Sequence, residues 1–366
     1  MSIRNINHLN GFELLYSLVG IPSVSGQEAG AAHFLANWMA THGFDEAFVD
    51  ASGSAVGIRD GGPDAAGRRR ELILLGHIDT VPGLVPVRIE NGRLYGRGAV
   101  DAKGPLAAFA VAASRVPMRP GWRLLVIGAT EEETITSKGA RHALGQYRPD
   151  LVIIGEPSGW DRVTLGYKGR MLVDVWARRT VAHTASPMPT ACEVAVDYWQ
   201  RVRQQLAQVN HNRTRPWDQV LAALRSFDSA TDGLEQSAHL LLGFRLPPDF
   251  GPDALKALLR SAGEDLPGIE LHFWGEEVAY QSDKNNPLVR AFLAAIRHHG
   301  GRPGFVLKTG TSDMNIVGPV WQCPIIAYGP GDSTLDHTPD EYIELAEWQQ
   351  GVAVLTTALD LLMTGT

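Results

Sequence analysis

The sequence predicts an α/β protein, a central sheet flanked by helices, with a second α+β segment inserted into it. Three observations predict this. Up to about residue 168, short unbroken apolar runs alternate with amphipathic stretches, the pattern of doubly buried strands between covering helices. Near Gly166–Arg170 the texture changes, and Met171–Thr180 alternates apolar and polar residues as a half-exposed strand of another sheet does. After about residue 284 the buried α/β texture returns, so residues 1–168 and 284–366 are expected to form one domain and 169–283 an insertion.

Taken in order, residues 9–19 have helical spacing and stop at Gly20 and Pro22. Ser23–Gln27 is a polar turn, 28–42 a second amphipathic helix, and Phe44–Ile58 a strand pair around Ser52-Gly53. A loop rich in Gly, Pro and Ala (Asp60–Gly67) leads to the apolar run Leu72–Leu75, and 103–116 is a small-residue helix suited to close packing on a sheet. Arg123–Gly128 and Asp150–Ile154 are two more buried strands. The insertion reads as strands Met171–Thr180, His239–Leu246 and Ile269–Phe273 with helices Glu193–Val209 and Asp253–Ala262. Pro287–His299 is a helix, Cys323–Tyr328 a buried strand, and Leu345–Met363 the closing helix.

Bulk properties exclude several classes. With 366 residues, 44% apolar and 20% charged, the chain can bury a sizeable core. A net charge of −7 gives no general basic character for nucleic acid, and Arg68–Arg70, the one compact basic run, reads as a solvated strand flank. Cys192 and Cys323 make no disulfide framework and no thiolate zinc site. The N-terminus lacks an apolar signal core and no run reaches membrane-spanning length, so a cytoplasmic protein is expected.

Three of the apolar runs end in metal-type ligands. Leu72–Leu75 leads to His77 and Asp79, which lie on one face because side chains alternate. Arg123–Gly128 leads to Thr130-Glu131-Glu132-Glu133, and Asp150–Ile154 to Gly155-Glu156-Pro157. Asp101 lies in Gly96-Arg97-Gly98-Ala99-Val100-Asp101-Ala102-Lys103-Gly104, and His337 in a polar loop after the final strand. Taken singly these are a structural histidine, a turn aspartate, a solvated helix start and a loop carboxylate. At the carboxyl ends of successive strands they make one active site. Two histidines and several carboxylates without thiolate suit zinc or a similar divalent ion. Five ligands exceed the need of one catalytic zinc and suit a pair sharing a carboxylate.

The blocks, in this order, resemble the dinuclear zinc aminoacylase and carboxypeptidase family that includes succinyl-diaminopimelate desuccinylase and acetylornithine deacetylase. The resemblance spans essentially the whole chain. It implies a zinc-peptidase-like catalytic domain with a mixed sheet, an inserted lid and dimerisation domain, a homodimer, and two zinc ions, replaceable by cobalt. It gives His77, Asp101 and Glu156 to one ion and Glu132, His337 and Asp101 to the other, with Asp79 orienting His77 and Glu131 as general base. Family members usually read Asp-Glu-Glu where this chain has Thr130 before three glutamates, so a register with Glu132 as base and Glu133 as ligand is the alternative. Spacing from the strand favours the first. His183 resembles the family's lid histidine, which reaches the site from the partner subunit; on the residues alone it is a histidine in a turn.

Lys308-Thr309-Gly310-Thr311-Ser312-Asp313 resembles the family's substrate loop, making Lys308, Thr311, Ser312 and Asp313 candidates for holding an amino acid. Arg245 occupies the family's arginine position, where a guanidinium suits a carboxylate. The wording of the blocks is most similar to family members that release lysine or ornithine from the C-terminal glutamate side chain of an acidic amino-group carrier protein, in lysine and arginine biosynthesis. Lys168, Arg170, Arg178 and Arg179 are then the candidate basic surface for steering that carrier. Removal of a small acyl group from lysine or ornithine is the alternative within the family, with a carboxypeptidase role behind it. A non-catalytic metal- or amino-acid-binding protein is the alternative of another class, disfavoured by the complete ligand set and candidate base. A nucleotide-binding protein lacks support, since no third glycine follows Gly96 and Gly98 at dinucleotide-binding spacing.

Overall fold

The computed structural model describes residues 11–183 and 185–365; residues 9 and 10 of the first expected helix lie outside them. In chain order the elements are α1 (Phe12–Gly20), α2 (Ala29–Thr41), β1 (Glu46–Val49), β2 (Ala55–Asp60), β3 (Arg70–His77), β4 (Arg88–Glu90), β5 (Arg93–Tyr95), α3 (Lys103–Arg115), β6 (Trp122–Ala129), α4 (Lys138–Gln146), β7 (Leu151–Gly155) and β8 (Arg162–Tyr167). There follow β9 (Gly169–Thr180), α5 (Ala191–Val209), β10 (Leu221–Thr231), β11 (Glu235–Leu246), α6 (Pro252–Gly263), β12 (Ile269–Glu277) and β13 (Tyr280–Gln281). The chain closes with α7 (Pro287–His298), β14 (Gly304–Lys308), α8 (Asp313–Trp321), β15 (Ile325–Ala327), β16 (Tyr342–Glu344) and α9 (Leu345–Thr364).

The chain divides into two compact units, one running up to Gly166 and resuming over Ser282–Val306 and Ser312–Thr366, the other comprising Tyr167–Gln281 and Leu307–Thr311. Residues 307–311, after the second unit in sequence, group with it.

The first unit is organised by a mixed sheet with neighbours in the order β1-β2-β6-β3-β7-β15-β8. Strands β6, β3, β7 and β15 are mutually parallel, while β1, β2 and β8 pair antiparallel. The register sets His77 opposite Ala129 and Gly76 opposite Gly155. The carboxyl ends of neighbouring strands are therefore level, and the loops leaving them converge. Buried Leu72–Leu75, Leu124–Ile127 and Val152–Ile154 fill both faces of these strands, as an all-apolar run requires. Helix α3 covers one face so closely that a Cβ on Gly155 would stand 2.9 Å from Phe109 and 3.0 Å from the Cα of Gly76. A small antiparallel sheet, β16-β5-β4, ties the last loop to the segment before Asp101.

The second unit has its own core. Alternate residues Met171, Val173, Val175 and Ala177 of β9 and Ala238, Leu240, Leu242 and Phe244 of β11 face Val194, Tyr198 and Val202 of α5 and Leu255 and Leu259 of α6. These strands belong to an antiparallel sheet ordered β10-β11-β9-β12. Sequence reading finds both helices but misses β10, whose residues are mostly exposed and carry no clean apolar alternation.

Candidate metal centre

His77 is the last residue of β3 and only 2% exposed. Its Nδ1–H donates to the carbonyl of Asp79 (3.1 Å), which turns Nε2 toward Asp101 Oδ1 at 3.2 Å, Glu156 Oε1 at 3.9 Å and Glu132 Oε2 at 4.0 Å. Fixing one ring nitrogen this way presents the other as a lone-pair donor. Nε2 of His337 lies 3.0 Å from Asp101 Oδ2 and 3.0 Å from Glu133 Oε1. Two ligand triplets result, His77-Asp101-Glu156 and Asp101-Glu133-His337, each with its ligand atoms within 4.8 Å of one another. They share Asp101, one oxygen to each histidine. Nitrogen and carboxylate donors without thiolate, converging in this way, fit a pair of zinc-like divalent ions.

The titration of the cluster has the same cause. Burial opposes a charged His77, but the carboxylates of Asp101, Asp79 and Glu132 outweigh it and raise its pKa well above the ordinary value. Hydrogen bonds to Asp101 and Glu133 raise His337 to about 10. Burial favours neutral Asp101, yet the two histidines hold it well below the usual carboxylate range. Burial, reinforced by Glu156, Asp313 and Glu133, pushes Glu132 well up, and burial and Asp101 raise Glu133. Protons thus occupy positions that divalent cations would take over.

The glutamate run is placed one residue later than the favoured register. Glu133, not Glu132, joins Asp101 and His337, and Glu132 faces His77. Glu131 turns away: it adopts φ 59°, and its carboxylate accepts from Thr136 Oγ1 (2.7 Å) and pairs with Lys138 (3.5 Å). This geometry departs from Glu131 as base and Glu132 as ligand and matches the alternative register, with Glu132 as base and Glu133 as ligand. The reason is local. Strand β6 runs on to Ala129, Thr130 Oγ1 donates to Ser52 O, and the left-handed residue then spends the first carboxylate on its own loop.

Asp79 does more than accompany His77. Its carboxylate accepts the N–H groups of Glu132 and Glu133 (3.0 Å each) and the hydroxyl of Ser25 (2.7 Å), while its distance to His77 Nδ1 is 3.6 Å. The main-chain carbonyl of Asp79, rather than its side chain, takes the short bond from the imidazole. Glu28 accepts from Gly26 N and Glu131 N (2.9 and 3.1 Å). Glu347 accepts from Trp160 N and Gly331 N. Sequence reading misses Ser25, Glu28 and Glu347; the turn Ser23–Gln27 was visible, but its contacts are made far along the chain.

The substrate-side residues divide between the units. Within the first, Ser312 caps α8, its hydroxyl oxygen accepting from Met314 N while its own N–H goes to Asn315 Oδ1. Asp313 is buried, and its charge raises the pKa of Glu132. Within the second, Arg245 donates to Thr311 Oγ1 (2.9 Å) and the Lys308 carbonyl accepts from Lys168 N (3.2 Å). His183 lies exposed in a turn, its Nδ1 accepting from Ala185 N; Thr184 beside it lies outside the described residues.

The basic surface does not form as expected. Lys168 is buried, donates to the carbonyls of Pro216 and Gln219, and is pushed down to about 8 by burial. Arg170 pairs with Glu277 (2.5 Å) and Arg178 with Glu235 and Glu270. These acidic partners come from β11 and β12, which the local sequence does not reveal.

Strand ends and loops that bring two histidines and three carboxylates together, with an aspartate shared between two triplets, define a metallohydrolase of the zinc-peptidase type. The chain belongs to the peptidase family M20/M25/M40, whose profile matches residues 73–361. It is 48% identical to the LysW-lysine hydrolase of Deinococcus radiodurans, over 96% of this chain and 97% of that one. It is 30% identical to a LysW-lysine/LysW-ornithine hydrolase of Saccharolobus islandicus, over 79% of this chain and 81% of that one. The fold is that of the M20 metallo-carboxypeptidase Sso-CP2 from Sulfolobus solfataricus, with a TM-score of 0.76 at 17% identity over 97% of this chain and 99% of that one. Among the described residues no helix is long and apolar enough to cross a membrane, and Cys192 and Cys323 are both free.

Proposed function

We propose that the protein hydrolyses the amide joining L-lysine, and L-ornithine, to the C-terminal glutamate side chain of an acidic amino-group carrier protein, serving lysine and arginine biosynthesis in the cytoplasm. The observation that carries the hydrolytic part is the pair of triplets sharing Asp101 with Glu132 beside them. The substrate rests on the likeness to the Deinococcus and Saccharolobus hydrolases.

His77, Asp101 and Glu156 would hold one zinc or cobalt ion, and Asp101, Glu133 and His337 the other. When bound, such a pair polarises an amide carbonyl and lowers the pKa of water. Glu132 is the general base: it removes a proton from the attacking water and delivers it to the leaving amine. Its buried setting, with Glu156 and Asp313 near, raises its pKa above the ordinary carboxylate value in the metal-free fold. Asp79 keeps Glu132 and Glu133 in place by holding their amides. Arg245, Thr311 and Lys308 are proposed to receive the amino-acid carboxylate, with Asp313 placing a negative charge toward a cationic substrate. His183 would supply a further donor to the oxyanion.

A homodimer is part of this reading. Strand β10 is an eleven-residue edge of its sheet. Leu224 and Phe227 on it, and Val196 on α5, are exposed. An unpaired apolar edge of this kind pairs readily with another strand.

The deciding experiment offers the zinc- or cobalt-loaded enzyme carrier-linked lysine and N-acetyl-lysine side by side and follows free lysine. Faster release from the carrier is expected. Faster release from N-acetyl-lysine would replace this substrate with a small acyl amide.

A further inference from the structure

We propose that Glu341 is a positioning residue for the shared carboxylate, acting on the metal pair by fixing the main chain on which Asp101 stands. The inference rests on the dinuclear reading and adds to it a residue outside the ligand set.

Glu341 is wholly buried. One carboxylate oxygen accepts the N–H groups of both Val100 (2.9 Å) and Asp101 (3.1 Å). The other accepts from the Arg97 guanidinium at 2.7 Å, and Arg97 Nε in turn donates to the carbonyl of Gly83. The main-chain carbonyl of Glu341 takes the N–H of Gly96 (3.2 Å). One residue thus grips the loop 96–101 at both ends. The next residue, Tyr342, pairs with Tyr95 in the small sheet. Four residues earlier in the same segment stands His337.

A buried carboxylate is costly to keep unless it is paired and hydrogen-bonded. Here it is satisfied by two main-chain donors and one cation, all from the loop that ends in Asp101. The demand on that loop is geometric. Asp101 presents one oxygen to His77 and the other to His337, so a small tilt of its backbone spoils both triplets at once. Because Glu341 and His337 share a segment, the same grip sets the distance between the loop bearing the shared aspartate and the loop bearing the outer histidine.

The rival account is that Glu341 only neutralises Arg97. The two accounts rank conservative variants in opposite orders. Glu341→Gln keeps the reach to both amides and loses the charge. Glu341→Asp keeps the charge and loses the reach. Cobalt(II) titrations of wild type and of the Gln, Asp and Ala variants, followed by the visible absorption of the bound ion and by metal analysis, separate them. Thermal unfolding of the metal-free proteins reports on the fold alone.

Positioning predicts that affinity for both ions falls in the order wild type, Gln, Asp, Ala. The Ala variant should bind at least about tenfold more weakly, the lower end of the effect of supporting groups around metal ligands, and the cobalt spectrum of the Asp variant should be altered. Should the Ala variant not fold, the Gln and Asp pair decides. Asp binding as tightly as wild type with Gln the weaker, or wild-type affinity in all the variants that fold, would overturn the inference. A wild-type protein that binds a single ion would instead overturn the dinuclear reading beneath it.

Discussion

The two halves of the ligand cluster share Asp101 but are built in opposite ways. The inner half hangs on strand ends: His77 closes β3, Glu156 follows β7, and the Gly76–Gly155 register sets them side by side. Both are buried. The outer half hangs on loops. Glu133 stands two residues after the left-handed Glu131, while His337, itself at φ 63°, has a side chain 51% exposed. Strand ladders place the main chain of the inner ligands, and the Asp79 carbonyl turns the His77 ring. The loop-borne ones depend on hydrogen-bonded carboxylates outside the ligand set, Asp79 for the glutamates and Glu28 for the turn before them. Non-glycine residues in left-handed backbone persist where surrounding contacts over-determine them.

The largest expected effect sharpens the assignment where the halves meet. Glu132→Gln should lower kcat by about 10²- to 10⁴-fold, the usual contribution of a general base, with metal content unchanged. Glu131→Gln should leave kcat within a few-fold of wild type. Steady-state kinetics with metal analysis on both variants checks this; the loss appearing in Glu131→Gln instead would restore the register that strand spacing favours.

Next come the two histidines. His77→Ala breaks a buried ionic cluster and should destabilise the metal-free protein by about 3–5 kcal/mol. His337→Ala removes a half-exposed partner and should cost under about 1 kcal/mol while losing the outer ion. Denaturant unfolding of the metal-free variants measures the contrast, and equal costs would erase the distinction between the halves.

A subtler difference appears with pH. His77 and His337 have raised pKa values in the metal-free fold. The stability they lend it is fully present below about 6.5, the ordinary histidine value, and is lost as pH rises through their folded values, about 10 for His337. Metal loading runs the other way: ions need unprotonated imidazoles, so affinity falls as pH drops and loading at neutral pH releases protons. Calorimetry in two buffers of different ionisation enthalpy reads that release directly, and a buffer-independent heat would contradict it. Away from the ligands, Ser312→Ala removes the cap of α8 and should cost about 1 kcal/mol in thermal unfolding, with metal content unchanged.

The inner half was legible in the sequence because it obeys strand logic. An apolar run, its end and the i, i+2 pair of His77 and Asp79 are local patterns, as are Glu156 after Asp150–Ile154 and the helices over both sheets. The outer half was legible only as residue types. Nothing in Thr130-Glu131-Glu132-Glu133 announces that the first glutamate takes a left-handed turn, so counting from the strand selects a different pair from the one the geometry brings to Asp101 and His77. The arginines of β9 fail for a related reason, since Glu235, Glu270 and Glu277 reach them only once strands are paired. Glu341 lay in plain view beside His337, but its significance depends on bonds to Val100 and Asp101 some 240 residues away.

The central claim is that one aspartate serves both halves. Counting metal ions per chain in wild type and Asp101→Ala, after dialysis against limiting zinc, tests it most directly. Two ions in wild type and loss of tight binding at both sites in the variant are predicted. A variant that still holds two ions, or loses one and keeps the other at wild-type affinity, would contradict it.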